Sequence, residues 1–122
     1  MDIIFNNITG KNRLLISQIV DNFFKKKKIN PQSRLNITFV GKTKIKNLNK
    51  KYRKINSPTD VLSFPIWKNL ACVPKKGLVN LGDIVVCPEI VKTNAQKLKN
   101  DYNQELSHII KHSLNHLIGK HH

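Results

Sequence analysis

Apolar positions recur along the chain with two periods. In KNRLLISQIVDNFFKKKK, Leu14, Leu15, Ile19, Val20, Phe23 and Phe24 fall close to a helical repeat, which predicts an amphipathic helix over residues 11 to 27. Lysines fill its last turn, where cations favour the helix dipole. RLNITFVG alternates Leu35, Ile37 and Phe39, the pattern of a half-buried strand, closed by Gly41. In KTKIKNLNKKYRKIN, Ile45, Leu48 and Tyr52 share one helical face, predicting a short basic helix with Thr43 as its candidate cap. TDVLSFPIW and LGDIVVCP are β-prone runs interrupted at Pro65 and Pro88, strands that stop at a proline, with KNLACVPKKG as the loop or turn between them. From Pro88 a helix is expected to about Leu98, then a break near KNDYN, then a second helix from about Gln104 to Ile118. Gly119 stands where a C-terminal cap residue would be.

Composition sharpens this picture in two ways. At 122 residues the chain has the size of one domain, long enough to bury a core without disulfides, and no repeat or linker divides it. Lys and Arg number 22 against 7 Asp and Glu, a formal charge of +15 that runs from KKKK at residues 25 to 28 through the middle of the sequence. Such a field attracts a polyanion, nucleic acid first and an anionic membrane surface second. A Lys-, Ile- and Asn-biased composition with no partner accounts for the same charge. Cys72 and Cys87 are too few and too far apart for a zinc clamp or a disulfide framework. Asp2 occupies the place of a signal peptide's basic region, and no apolar run approaches the roughly 20 residues that span a bilayer, so a reducing cytoplasm is expected and no membrane partner.

The candidate chemistry lies in the final stretch, HSLNHLIGKHH. His112 and His116 are four apart on the last predicted helix, one above the other, with about 6 Å of rise between them. Two imidazoles so placed can converge on one ion, with Zn–N distances of about 2 Å. His108 continues the row but lies roughly 12 Å from His116 along the axis, too far for all three to share an ion. Gly119 allows the chain to turn back so that His122 closes the site, leaving an open fourth position for water. A solvated helix end rich in histidine, or a tag remnant, explains the same residues. The spacing also equals that of the metzincin peptidases, but their general-base glutamate is Ser113 here and the only methionine is Met1, which leaves none for their Met-turn.

The final stretch and TDVLSFP at residues 59 to 65 together resemble the YbeY family of metal-dependent, single-strand-specific endoribonucleases that act in ribosomal RNA maturation. The family's terminal signature, H-G-x-L-H-L-x-G-Y-D-H, matches at His112, His116, Leu117, Gly119 and His122, while TDVLSFP matches its second block without a change. LNKKYRKINSP and LGDIVVCPE fall in the family's order and spacing. The resemblance implies that His112, His116 and His122 hold one zinc ion or a similar divalent metal, that Arg53 and His112 are catalytic, and that the partner is single-stranded or ribosomal RNA, within or apart from ribosomal particles. Arg53 has suitable chemistry, since a planar guanidinium grips a phosphate in two places and stabilises charge developing on phosphorus. The sequence departs from the signature at Ser113, Asn115 and the pair Lys120-His121, and His121 competes with His122 for the third ligand position. Family members continue with an acidic segment beyond this point, so residues 1 to 122 are expected to form a single domain of this type with the C-terminal tail absent.

The expected fold is therefore α+β, a single domain with a small mixed β-sheet flanked by helices and the metal site at the C-terminal end of the last long helix. Within TDVLSFP, Val61, Leu62 and Phe64 suit a mostly buried strand, and Asp60 and Asp83 are candidates to orient a histidine. No general base is evident and no organic cofactor is expected. The competing expectation is a metal-stabilised RNA-binding factor of ribosome assembly with weak or no cleavage activity.

Overall fold

The computed structural model describes residues 2 to 119. Its elements run β1 (Asp2–Asn6), α1 (Gly10–Lys27), β2 (Ser33–Phe39), α2 (Lys42–Arg53), β3 (Val61–Pro65), a short 3-10 turn (Leu70–Cys72), β4 (Val79–Val86), α3 (Pro88–Leu98) and α4 (Tyr102–Leu117). The strands form one four-stranded sheet in the order β1-β2-β4-β3. β1, β2 and β4 are parallel neighbours, and β3 joins β4 antiparallel at the edge. This is the small mixed sheet expected from the sequence, with helices against it.

One face of the sheet carries the main core. Leu35, Ile37 and Phe39 of β2 and Leu81, Ile84 and Val86 of β4 meet Ile16, Val20 and Phe24 of α1 and Leu106, Ile110, Leu114 and Leu117 of α4. Burying each such side chain stabilises the fold by about 1.5–3 kcal/mol relative to leaving it exposed. The opposite face holds a smaller cluster, in which Ile45 of α2, Leu62 of β3 and Cys87 are flanked by Leu48, Phe64 and Val85. α2 thus lies over β3, while β2 turns the polar Arg34, Asn36 and Thr38 outward. No helix among the described residues is long and apolar enough to cross a membrane. Neither cysteine forms a disulfide; Cys72 is exposed and Cys87 buried.

Gly82 sets how closely the sheet and α4 approach. The β2–β4 register slips there, with Arg34 opposite Asn80 but Leu35 opposite Gly82, so Leu81 is the extra residue of a bulge. The slip keeps Leu81 and Ile84, three apart, in the same core. Gly82 has φ 136°, and a Cβ there would collide with the Phe64 carbonyl oxygen and come within 3.2 Å of Leu117 Cδ2.

The structure corrects the local readings at several places. On α1, Leu14 of the expected apolar stripe is exposed, and Ile16, one turn before Ile19 and Val20, is buried in its stead. β1 was not anticipated: Ile3, Ile4 and Phe5 form an unbroken apolar triplet with no alternation to read, and pairing with β2 is what makes it a strand. Gly41, not Thr43, caps α2, and it does so without a side-chain hydrogen bond. α4 begins at Tyr102, earlier than the expected Gln104, because Asp101 and Gln104 form a capping box. In that box the Gln104 amide donates to Asp101 Oδ1 at 2.7 Å and the Asp101 amide donates to Gln104 Oε1 at 2.9 Å.

Candidate active site

α4 carries two adjacent stripes. Leu106, Ile110, Leu114 and Leu117 face the core, while Glu105, His108, His112 and His116 line a cleft of about 1010 Å³. The other walls of the cleft are Tyr52 and Arg53 at the end of α2, Thr59 and Asp60 with Val61 to Phe64 of β3, and Asn94, Lys97 and Leu98 of α3. Edge strand β3 forms part of the lining along most of its length, because both its faces border the cleft.

The alternation of β3 determines which groups meet the histidines. Leu62 and Phe64 join the α2 cluster, so Ser63 points to the other side, the side of its partner Ile84 and of α4. There the Ser63 hydroxyl shares a hydrogen bond with His116 Nδ1. That bond holds the His116 ring by Nδ1, and a ring oriented in this way is the usual arrangement around a metal-binding histidine.

Arg53, His112 and His116, the site residues expected from sequence, are thus brought to one cleft. His122, the expected third ligand, and its competitor His121 lie outside the described residues. No group of three His, Cys, Asp or Glu side chains that could hold a metal occurs among the described residues. The donor chemistry nevertheless fits a divalent ion, with two imidazoles one turn apart on the cleft side of α4 and one of them oriented by a hydroxyl. Gly119 follows α4 with φ 84°, as the cap position required. A Cβ there would collide with the Lys68 carbonyl oxygen and come within 2.8 Å of Asn69 Cα, so the loop after β3 packs directly against Gly119 at the end of α4.

The two candidate aspartates separate. Asp60 lines the cleft, accepts from Thr59 Oγ1 at 3.3 Å and offers its carbonyl to the Cys87 amide at 2.8 Å. Asp83 sits opposite Phe64 in the β3–β4 pair, exposed and away from the cleft lining. Three participants escaped the sequence reading. Ser63 was signalled by its place between Leu62 and Phe64. Glu105 is only 4% exposed despite its charge, with the Asn100 amide 3.5 Å from its Oε2. Tyr52 shares a helical face with Ile45 and Leu48 but is 55% exposed, and that exposure is what sequence spacing did not signal. Ser113, where the family signature has glycine, is buried in the cleft wall, and its hydroxyl has no hydrogen-bond partner among the described residues.

Comparison with known proteins identifies relatives of the chain. The profile of the family described as Endoribonuclease YbeY matches residues 5–122. A protein of that name from Thermotoga neapolitana is 33% identical over 107 residues, covering 88% of this chain and 64% of its own length. Another from Wigglesworthia glossinidia brevipalpis is 41% identical over 91 residues, 74% of this chain and 57% of its own length. A third, from Staphylococcus carnosus, is 30% identical over 123 residues, covering 97% of this chain and 80% of the relative. A solution structure of a Thermotoga maritima protein aligns over 100% of this chain and 75% of its own, with a TM-score of 0.63 and 31% identity. The chain thus spans between 57% and 64% of the length of the first two relatives. With the profile covering nearly all of it, and with Arg53, His112 and His116 gathered at one cleft, the chain belongs to the YbeY family.

Proposed function

We propose that this chain is a metal-dependent endoribonuclease that cleaves single-stranded RNA in the maturation of ribosomal RNA, acting in the cytoplasm. The observation that carries the reading is the meeting of Arg53 with His112 and His116 across one cleft, in a chain of +15 formal charge. Neither element does this alone: Arg53 ends α2 and the histidines lie on α4, so the sheet edge at β3 is what brings them together.

Each residue has a chemical part. The basic last turn of α2, Lys50, Lys51 and Arg53, attracts the RNA backbone, and Arg53 at the cleft grips a phosphate through its paired N–H groups. As charge grows on the phosphoryl oxygens, that fixed guanidinium offsets it without having to reorganise. Lys97 supplies a second cation at the α3 side. His112 and His116 would hold one divalent ion, with His122 as third ligand, and nitrogen donors of this kind suit zinc. Such an ion, when bound, supplies Lewis acidity toward a phosphoryl oxygen and makes a nucleophile available at neutral pH. Ser63 keeps the His116 ring in one orientation, which fixes the nitrogen presented to the ion. On this reading residues 1 to 122 carry the cleavage machinery as one domain.

The test is metal-dependent cleavage of a single-stranded RNA by the parent chain, by Arg53→Ala and by His112→Ala. The expected result is cleavage by the parent, abolished by chelator, and a loss of at least about 100-fold in each variant. Equal cleavage by all three would show a contaminant and sink the enzymatic reading. RNA binding by the parent without cleavage in the presence of zinc would favour an assembly factor that binds but does not cut.

A further inference from the structure

The aromatic pair beside the catalytic arginine has no part in the chemistry above. Tyr52 and Phe64 stack edge to face, with ring centroids 5.1 Å apart and planes at 70°. Phe64 is held by β3 and by the Ile45 and Leu62 cluster, so it steadies the Tyr52 ring, yet Tyr52 remains 55% exposed. Both residues line the cleft. An exposed tyrosine immobilised by a second aromatic gains nothing for the core in that state. It does offer a flat surface whose orientation is already fixed. Around it stand cations: Lys51 Nζ lies 5.2 Å from the Tyr52 ring centroid, and Arg53 is the next residue along.

We infer that Tyr52, steadied by Phe64, is a stacking shelf for an unpaired RNA base, and that this shelf is what selects single strands. The inference rests on the RNA-cleavage reading of the same cleft. A ring flanked by cations suits a nucleotide, because a base stacks on the aromatic surface while its phosphate meets the lysine and the arginine. The placement suits cleavage as well. Phe64 and Ser63 are consecutive in β3 and point to opposite sides, the first to the shelf and the second to His116. A strand crossing the edge of β3 can therefore rest a base on Tyr52 while its backbone continues past Arg53 toward the histidines. The internal bases of a duplex cannot make this contact, because they are paired and stacked on each other, whereas any base of a single strand can be splayed onto the shelf.

The experiment measures binding by fluorescence anisotropy in the presence of chelator, where no cleavage is expected. The probes are a labelled uridine oligomer, an abasic ribose-phosphate oligomer of equal length and a blunt RNA duplex. They are offered to the full chain and to Tyr52→Ala, Tyr52→Phe and Tyr52→Trp. Tyr52→Ala is expected to weaken binding of the uridine oligomer by about tenfold, with little change for the abasic oligomer or the duplex. Tyr52→Phe and Tyr52→Trp should retain parental affinity, since stacking needs the ring and not the hydroxyl. If Tyr52→Ala binds the uridine oligomer as the parent does, or loses the abasic oligomer equally, the shelf is overturned while the RNA reading stands. A parent chain that binds none of the three overturns both.

Discussion

The two faces of edge strand β3 and the two stripes of helix α4 follow opposite rules. On the covered side, Leu106, Ile110, Leu114 and Leu117 meet β2, β4 and α1, and apolar burial alone accounts for their positions. On the cleft side, Ser63, Glu105, Ser113, His112 and His116 put polar groups along the same two elements, and the Ser113 hydroxyl lacks a described partner. A folding-only account would place an apolar residue at buried position 113, since burying an unpaired polar group costs about 1–3 kcal/mol. The contrast teaches that α4 is anchored by one stripe so that the neighbouring stripe can be held in a fixed chemical arrangement.

The largest effect should come from the anchoring stripe. Leu114→Ala is expected to cost about 2–5 kcal/mol in urea unfolding, because it leaves a cavity between α4 and the sheet. Arg53→Ala, at an exposed position, should leave unfolding within about 0.5 kcal/mol of the parent. Its RNA cleavage should nevertheless fall by about 100- to 1,000-fold. If Arg53→Ala unfolded as easily as Leu114→Ala, the two sides could not be separated as structural and chemical. Ser63→Ala should lower metal affinity by about 10- to 100-fold, read by competition with a chromogenic chelator, since it frees the His116 ring to turn.

The smallest effect concerns Tyr102, whose phenol is raised above its ordinary value by burial. Burial favours the neutral form, so its stabilisation is complete below the unfolded value of about 10 and is lost as pH rises through the folded value. Tyr102→Phe should flatten that alkaline limb of the stability curve without altering cleavage at neutral pH.

The covered side was largely legible from sequence because it obeys periodicity. Leu35, Ile37 and Phe39 alternate, the stripe of α1 repeats as a helix does, and Pro65 and Pro88 fall where β3 ends and α3 begins. β1 was not legible, since its apolar triplet carries no period and only pairing with β2 organises it. The cleft was legible where a motif marked it, at Arg53, His112 and His116, and not where a partner defines it. Ser63 has meaning only beside His116, Glu105 only once α4 turns it under the cleft wall, and Tyr52 only once Phe64 is seen to hold its ring at the surface. Periodicity placed Tyr52 on one face with Ile45 and Leu48, but of the three only Ile45 is fully buried, and Tyr52 stays open at the last turn of α2.

The central claim, that the cleft stripe of α4 is a ligand set, is tested most directly by metal content. Elemental analysis of the parent and of His112→Ala, both prepared without chelator and dialysed against trace zinc, should give close to one ion per chain for the parent and close to none for the variant. A parent chain free of metal, or a variant retaining the parent's full content, would contradict the account.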